Sequence, residues 1–168
     1  MSRYRSPMPP SSRYITPEGY QRLEQEHDLL WRIKRPVVTQ AVSEAAALGD
    51  RSENAEYIYG KKQLREIDRR VRYLRKRLEQ LKIVSEIPEN PRKIYFGAWV
   101  ILENEHGEEK HLRLVGPDEL DLSKGWISID APLARTLLGK EQDTEFPFIH
   151  EGTTTDYTIM SVSYTEPE

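Results

Sequence analysis

Residues 45–62 read "AAALGDRSENAEYIYGKK", and a helix-compatible apolar pattern runs away from this segment in both directions. On its C-terminal side Tyr57, Gly60, Leu64, Ile67, Val71, Leu74, Leu78 and Leu81 alternate at spacings of three and four. That is a heptad seam, the pattern of a helix packed along one side of another. On the N-terminal side apolar residues recur at Leu23, Leu30, Ile33, Val37, Val38, Ala41, Val42, Ala45 and Leu48. The stretch "ITPEGYQRLEQEH" opens this first helix, with Thr16 as a cap, Pro17 in the first helical position and Glu18 at the positive end of the dipole. Pro36 removes a backbone donor inside the run and predicts a kink. Gly49 suits a left-handed residue that ends the helix. Two helices of about 30 residues each span about 45 Å, and so short a connection makes them antiparallel. The quoted segment is therefore the far end of a long helical hairpin.

Composition agrees with long solvated helices. Of 168 residues, 32% are charged and 37% hydrophobic, and the mean hydropathy is -0.73. There is no cysteine, which excludes disulfides, thiol chemistry and cysteine–zinc sites. "MSRYRSPMPPSSRY" is basic and rich in Pro and Ser, without the apolar stretch of a signal peptide. No apolar run approaches the roughly 20 residues of a membrane span. A cytoplasmic protein with no membrane partner is expected, with a disordered extension over 1–13. The net charge of -3 is polarised along the chain. Through Tyr95 there are 20 Lys and Arg against 13 Asp and Glu, and from Phe96 onward 5 against 15. A basic first half suits nucleic acid and an acidic second half suits protein, although both also suit plain solvated surfaces.

After the hairpin, expected over 14–85, "SEIPENPRK" reads as a linker spanning 86–95. Beyond it, over 96–165, "FGAWVILEN", "EEKHLRLVG" and "GWISI" read as strands, the first two joined by a turn at "EHGE". "DAPLARTLLGK" reads as one short helix capped by Asp130, with Pro132 in its first turn and Gly139 as its stop. "EFPFIH" and "TDYTIMSVSY" form a last hairpin around "EGTT". The fold class is α+β: a long antiparallel coiled-coil hairpin, then a small, mostly antiparallel β domain with one short helix.

The tip carries the candidate chemistry. Asp50-Arg51-Ser52-Glu53 fits a capping box, in which Asp50 accepts a backbone N–H and Glu53 reaches back. Ser52 is a rival cap. The other reading is metal binding, because capping needs no 45 Å arm whereas delivering acids to a recessed site does. Magnesium takes six oxygens and keeps several waters, so two carboxylates complete a site supplied mostly by something else. From Lys61 to Lys82 only Glu66, Asp68 and Glu79 offset a dense set of Lys and Arg. That excess suits phosphate contact, with Lys61, Lys62 and Arg65 nearest the tip, or a solvated coiled-coil face. His27 lies near the first seam, and His106, His111 and His150 lack metal-ligand spacing. Trp99, Trp126, Phe146 and Phe148 suit the core or rim of the β domain. There is no glycine-rich phosphate loop and no Ser-His-Asp arrangement.

Taken in order, "LGDRSENAEY", "REIDRRVRYL", "FGAWV" and "ISIDAPLAR" closely resemble the bacterial Gre transcript-cleavage factors of the GreB type. The resemblance runs from about Tyr14 to Tyr164. It implies an FKBP-like C-terminal domain that docks on RNA polymerase, and a coiled coil that enters the polymerase secondary channel. It further implies that the tip acids, here Asp50 and Glu53, support a catalytic Mg2+ shared with the polymerase. A backtracked polymerase then cuts the nascent RNA 3′ end and resumes elongation. Nucleic-acid contacts fall on Arg51, Lys61, Lys62 and Arg65, and polymerase docking on Asp130, Ala131 and Pro132. The family usually has Ser where Ala131 stands. On this reading the chain is monomeric and not itself an enzyme. Two rivals stand beside it: a channel-binding homologue that modulates polymerase without cleavage, and a prolyl isomerase.

Overall fold

The computed structural model describes residues 10–49 and 53–167. The chain divides into two compact units: a helical unit, Glu18–Leu81, and a β unit made of the N-terminal segment through Pro17 together with Lys82 onward.

In the helical unit the first arm is α1 (Pro17–Asp28), a π-helical segment (Leu29–Lys34) and α2 (Arg35–Ala47). The Arg35 N–H bonds the carbonyl of Leu30, five residues back. Pro36, in the first turn of α2, follows directly. Its ring would clash with a regular preceding turn, and the wider π turn accommodates it. The kink expected at Pro36 takes this form. The arm ends at Leu48 in a right-handed conformation, and Gly49 has φ +152°, a glycine-favoured region but not the left-handed helical one expected there.

The second arm, α3 (Ala55–Gln80), is 26 residues long, about 39 Å at 1.5 Å per residue. Its seam is as the heptads predict, with Gly60, Ile67, Val71 and Leu74 buried. Val38, Ile67 and Val71 pack with Leu30, Val42 and Leu64 around them. A Cβ on Gly60 would lie 2.7 Å from Cγ2 of Val42. The glycine thus lets α2 and α3 approach, which explains a residue of poor helix propensity within the seam. The apolar series of the first arm was too generous: Val38 and Ala45 are buried, but Ile33, Val37 and Leu48 are exposed. The π segment breaks the 3.6-residue period, so residues evenly spaced in sequence no longer share a face.

The β unit holds β1 (Tyr14–Ile15) paired in parallel with β2 (Lys82–Ile83), and a five-stranded sheet. The sheet strands are β3 (Trp99–Asn104), β4 (Glu109–Val115), β5 (Trp126–Ser128), β6 (Glu145–His150) and β7 (Thr153–Ser163), in the order β5-β4-β3-β7-β6. All pairings are antiparallel except β4 with β5. The β6–β7 turn has φ 50° at Glu151 and 80° at Gly152, the two positive values of a tight hairpin. One sheet face carries the core, with Val100, Leu102, Leu114 and Ile159 closed by Leu137 of α4 (Pro132–Leu137). The fold class is α+β. Residues 86–95, expected as a linker, are folded onto this unit. Ile94 is fully buried, its N–H bonds the Lys140 carbonyl, and Arg92 pairs with Asp143 at 2.6 Å. Two prolines and a run of polar residues hid that one apolar anchor.

Candidate functional site

At the hairpin tip the start of α3 is held by Asn54. Its Oδ1 accepts the Tyr57 N–H at 3.1 Å, and its Nδ2 donates to the Ala45 carbonyl at 2.7 Å. One side chain thus satisfies an orphan donor of α3 and adds a second bond to the Ala45 carbonyl near the end of α2, which also accepts the Leu48 N–H at 3.2 Å. This overturns the capping box read over Asp50–Glu53. Asn54 is the cap and Glu53 precedes it, so the Glu53 carboxylate is not reaching back within the first turn. Asp50, Arg51 and Ser52 themselves lie outside the described residues. Glu53 is exposed, and among the described residues it has no hydrogen bond or ion pair. The signal for Asn54 was present in "SENAEY", but three good capping residues stand within five positions and only the backbone path selects among them.

Lys61, Lys62 and Arg65 lie in the second and third turns of α3; Lys62 and Arg65 are exposed and Lys61 is half-buried. None has an acidic partner among the described residues. Farther along, part of the arginine excess is spent within the hairpin. Arg70 binds Glu26 through Nε and Nη2 at 2.6 and 2.9 Å, and Arg35 binds Asp68 at 2.7 Å. The Arg70 hydrogen bond lowers the Glu26 pKa, against a smaller opposing effect of burial. Arg35 and Arg75 stack over the Trp31 ring at 5.1 and 4.4 Å, and Arg75 donates to His27 at 3.1 Å. His27 is thus a hydrogen-bonded seam residue. Exposed Arg69, Arg72 and Lys76, farther along α3, likewise have no acidic partner among the described residues, so the unpaired cationic surface runs from the tip along the helix.

In the β unit, Asp130, Ala131 and Pro132 form the entry to α4. Ala131, not Asp130, is the N-cap residue, and no side chain caps this helix. The reason lies in the backbone: Asp130 N–H donates to Ser128 Oγ at 3.1 Å and Ala131 N–H to the Ser128 carbonyl at 2.9 Å, a turn that starts the helix one residue later. The Asp130 carboxylate instead accepts the Ser12 N–H at 2.8 Å. Pro132 is exposed, and the Ala131 methyl is partly buried against the core. Beside the loop lies an open cavity of about 540 Å³, lined by Tyr14, Ile83, Tyr95, Phe96, Ile129 and Leu138 among others. On the sheet face away from the core, Arg113 lies between the Trp99 and Trp126 rings at 4.7 and 5.0 Å, while Phe146 is buried in the core. Sequence reading found the two tryptophans but not the arginine between them.

No helix among the described residues is long and apolar enough to cross a membrane.

Two family models match the chain: "Transcription elongation factor, N-terminal" over residues 13–83 and "Transcription elongation factor, GreA/GreB, C-term" over residues 88–164. The chain is 67% identical over 145 residues to the transcription elongation factor GreB of Pseudomonas aeruginosa, covering 86% of each protein. It is 61% identical over 153 residues to that of Yersinia pestis, covering 91% of this chain and 90% of the relative. Among solved structures, a prokaryotic transcription elongation factor GreA/GreB from Nitrosomonas europaea aligns over 91% of this chain and all of its own, at 22% identity and a TM-score of 0.42.

Proposed function

Because this chain belongs to the GreA/GreB family of transcription elongation factors, we propose that it docks on RNA polymerase through its β unit and inserts the helical hairpin into the secondary channel. There it stimulates cleavage of the nascent RNA 3′ end in backtracked complexes. The observation that carries this reading is at the tip: Asn54 caps α3, and the Glu53 carboxylate is left exposed with no structural partner among the described residues. An acid that supports no local structure is available to another molecule's site.

The donor set fits a shared divalent ion. Asp50 and Glu53 contribute hard anionic oxygens, the ligand type Mg2+ prefers, and too few of them to hold it alone. When bound, such an ion stabilises the negative charge that develops at a phosphodiester during hydrolysis. Asp50 and Glu53 hold it; Arg51, Lys61, Lys62 and Arg65 draw the RNA phosphates to the tip. Asp130, Ala131 and Pro132 contact the polymerase, which supplies the remaining ligands. The chain is a helper of the polymerase active site and not a nuclease by itself.

The test is a stalled, backtracked elongation complex with labelled RNA. Full-length protein shortens the RNA, whereas the same protein with Mg2+ and naked RNA leaves it intact. Asp50→Asn and Glu53→Gln each slow cleavage by about 10²-fold, the scale of losing one important transition-state interaction, while polymerase binding survives. Replacing Lys61, Lys62 and Arg65 with Ala weakens RNA crosslinking most at low salt, and the gap to the parent narrows as salt rises, because the variant has fewer phosphate contacts for salt to weaken. A factor that binds the complex and leaves the RNA uncut is the modulator of the rival reading.

A further inference from the structure

The N-terminal segment before the hairpin reaches the docking loop, and a hydrogen bond joins the two. Ser12 N–H donates to Asp130 Oδ2 at 2.8 Å across 118 positions of sequence. We infer that Ser12–Tyr14 is part of the polymerase-docking surface, with Ser12 as the residue that positions the Asp130 carboxylate. This rests on the assignment of docking to Asp130, Ala131 and Pro132, and extends it to Ser12 and Arg13, expected from the sequence in a disordered extension, and to Tyr14, expected at the start of the hairpin.

The segment is seated, not adventitious. Arg13 accepts the Lys82 N–H at 2.7 Å, Ile15 accepts the Val84 N–H at 2.9 Å, and the Ile15 side chain is fully buried. Thr16 donates its N–H and its hydroxyl to the buried Glu119 carboxylate. A Cβ on Gly116 would lie 2.1 Å from the Tyr14 carbonyl oxygen, so only glycine at that position leaves room for the segment. Four successive positions, 13 to 16, are thus fixed on the β unit, and Ser12 is the next residue outward.

What this does to Asp130 follows from its bonds. The loop backbone is already held by Ser128, so the Ser12 bond acts on the side chain alone. It uses Oδ2 and leaves Oδ1 without a partner among the described residues. A carboxylate held by one N–H presents its second oxygen in a fixed direction, ready for an N–H or cationic side chain of the polymerase. Tyr14, two residues after Ser12, adds an apolar element: the residue is 43% exposed, its ring packs at 5.9 Å on Phe96, and it lines the same cavity as Ile129, the neighbour of Asp130 in sequence. An exposed tyrosine next to a fixed acid is the composition of an interface anchor.

The experiment measures affinity of the full-length protein for the backtracked complex and, separately, the cleavage rate at saturating factor. Ser12→Pro removes the N–H; Ser12→Ala keeps it and serves as the conservative variant. The expected result is an affinity about tenfold weaker for Ser12→Pro, restored for the most part by Ser12→Ala, with the saturating rate unchanged for both. Asp130→Ala completes a cycle. Because Ser12 acts through Asp130, the double variant Ser12→Pro, Asp130→Ala binds no worse than Asp130→Ala alone. A Ser12→Pro protein that binds like the parent overturns the inference. So does a double variant whose defects multiply, since that outcome describes a segment whose loss damages the fold generally. Failure of the parent protein to bind polymerase at all would instead remove the docking assignment on which the inference rests.

Discussion

Glu119 of the β unit and Glu53 of the helical unit both lie beside the start of a helical turn, and the molecule uses them in opposite ways. Glu119 is 1% exposed and accepts the N–H of Gly116, the N–H of Thr16 and the Thr16 hydroxyl. Glu53 is exposed, and its helix is capped by the neighbouring Asn54. A buried carboxylate persists only where donors replace the water it has lost. An exposed acid with no bond in the structure contributes almost nothing to folding. The same residue type is thus structural in one unit and available to a partner in the other. Asp130 falls between them, with one oxygen held and the other without a partner among the described residues.

The largest effect that tests this contrast is on stability. Glu119→Ala removes the acceptor of three hydrogen bonds from a buried site, and each unsatisfied buried group costs about 1–3 kcal/mol. The β unit should lose about 3 kcal/mol or more, measured by urea unfolding followed through tryptophan fluorescence. A loss below about 1 kcal/mol would mean that water replaces the carboxylate, and the contrast with Glu53 would weaken accordingly.

The second comparison is between neighbours. Asn54→Ala removes the cap of α3 and should destabilise the hairpin by about 1 kcal/mol. Glu53→Gln should change stability by less than about 0.5 kcal/mol, as surface substitutions do. Helix content and melting by circular dichroism check both. Equal losses at the two positions would return Glu53 to a capping role. Cleavage should divide the pair in the reverse order, since Glu53→Gln removes a charged oxygen whereas Asn54→Ala removes none.

What could be read from the sequence follows the range of the interactions. The α3 seam was legible because each contact repeats every three or four residues and needs only the helix period. The strands and the β6–β7 hairpin were legible for the same reason. The cap was not, because Asp50, Ser52 and Asn54 are near-equivalent in propensity and the fold of the turn decides among them. Thr16–Glu119 and Ser12–Asp130 join residues 103 and 118 positions apart, and no local pattern announces them. Ile94 was lost in a polar run, and the π turn before Pro36 shifted Ile33 off the seam. The tip motif was recognisable as a motif, yet the feature that frees its glutamate is visible only in three dimensions.

The smallest predicted effect concerns how the hairpin spends its own charges. Glu26 and Arg70 form a two-point pair across the arms, and each side chain is partly exposed, 35% for Glu26 and 45% for Arg70. The Arg70 hydrogen bond holds the Glu26 carboxyl below its ordinary value of 4.5. A depressed carboxylate pKa means that the folded state binds its proton less readily than the unfolded chain does. The stabilisation is therefore fully present above the unfolded pKa and is lost as pH falls through the lower, folded one. Solvent screens an exposed pair, so its worth is about 0.2–1 kcal/mol. Glu26→Gln should accordingly melt slightly below the parent at pH 7, and the gap should close as pH is lowered below 4.5, where the parent carboxylate also becomes neutral. Adding about 1 M salt should narrow the gap at pH 7 as well, because the Debye length falls to about 3 Å. A gap that persists unchanged at pH 3 would assign Glu26 a packing role instead. Arg65, nearer the tip, has no such partner among the described residues, so its substitution should leave the pH dependence of melting unaltered.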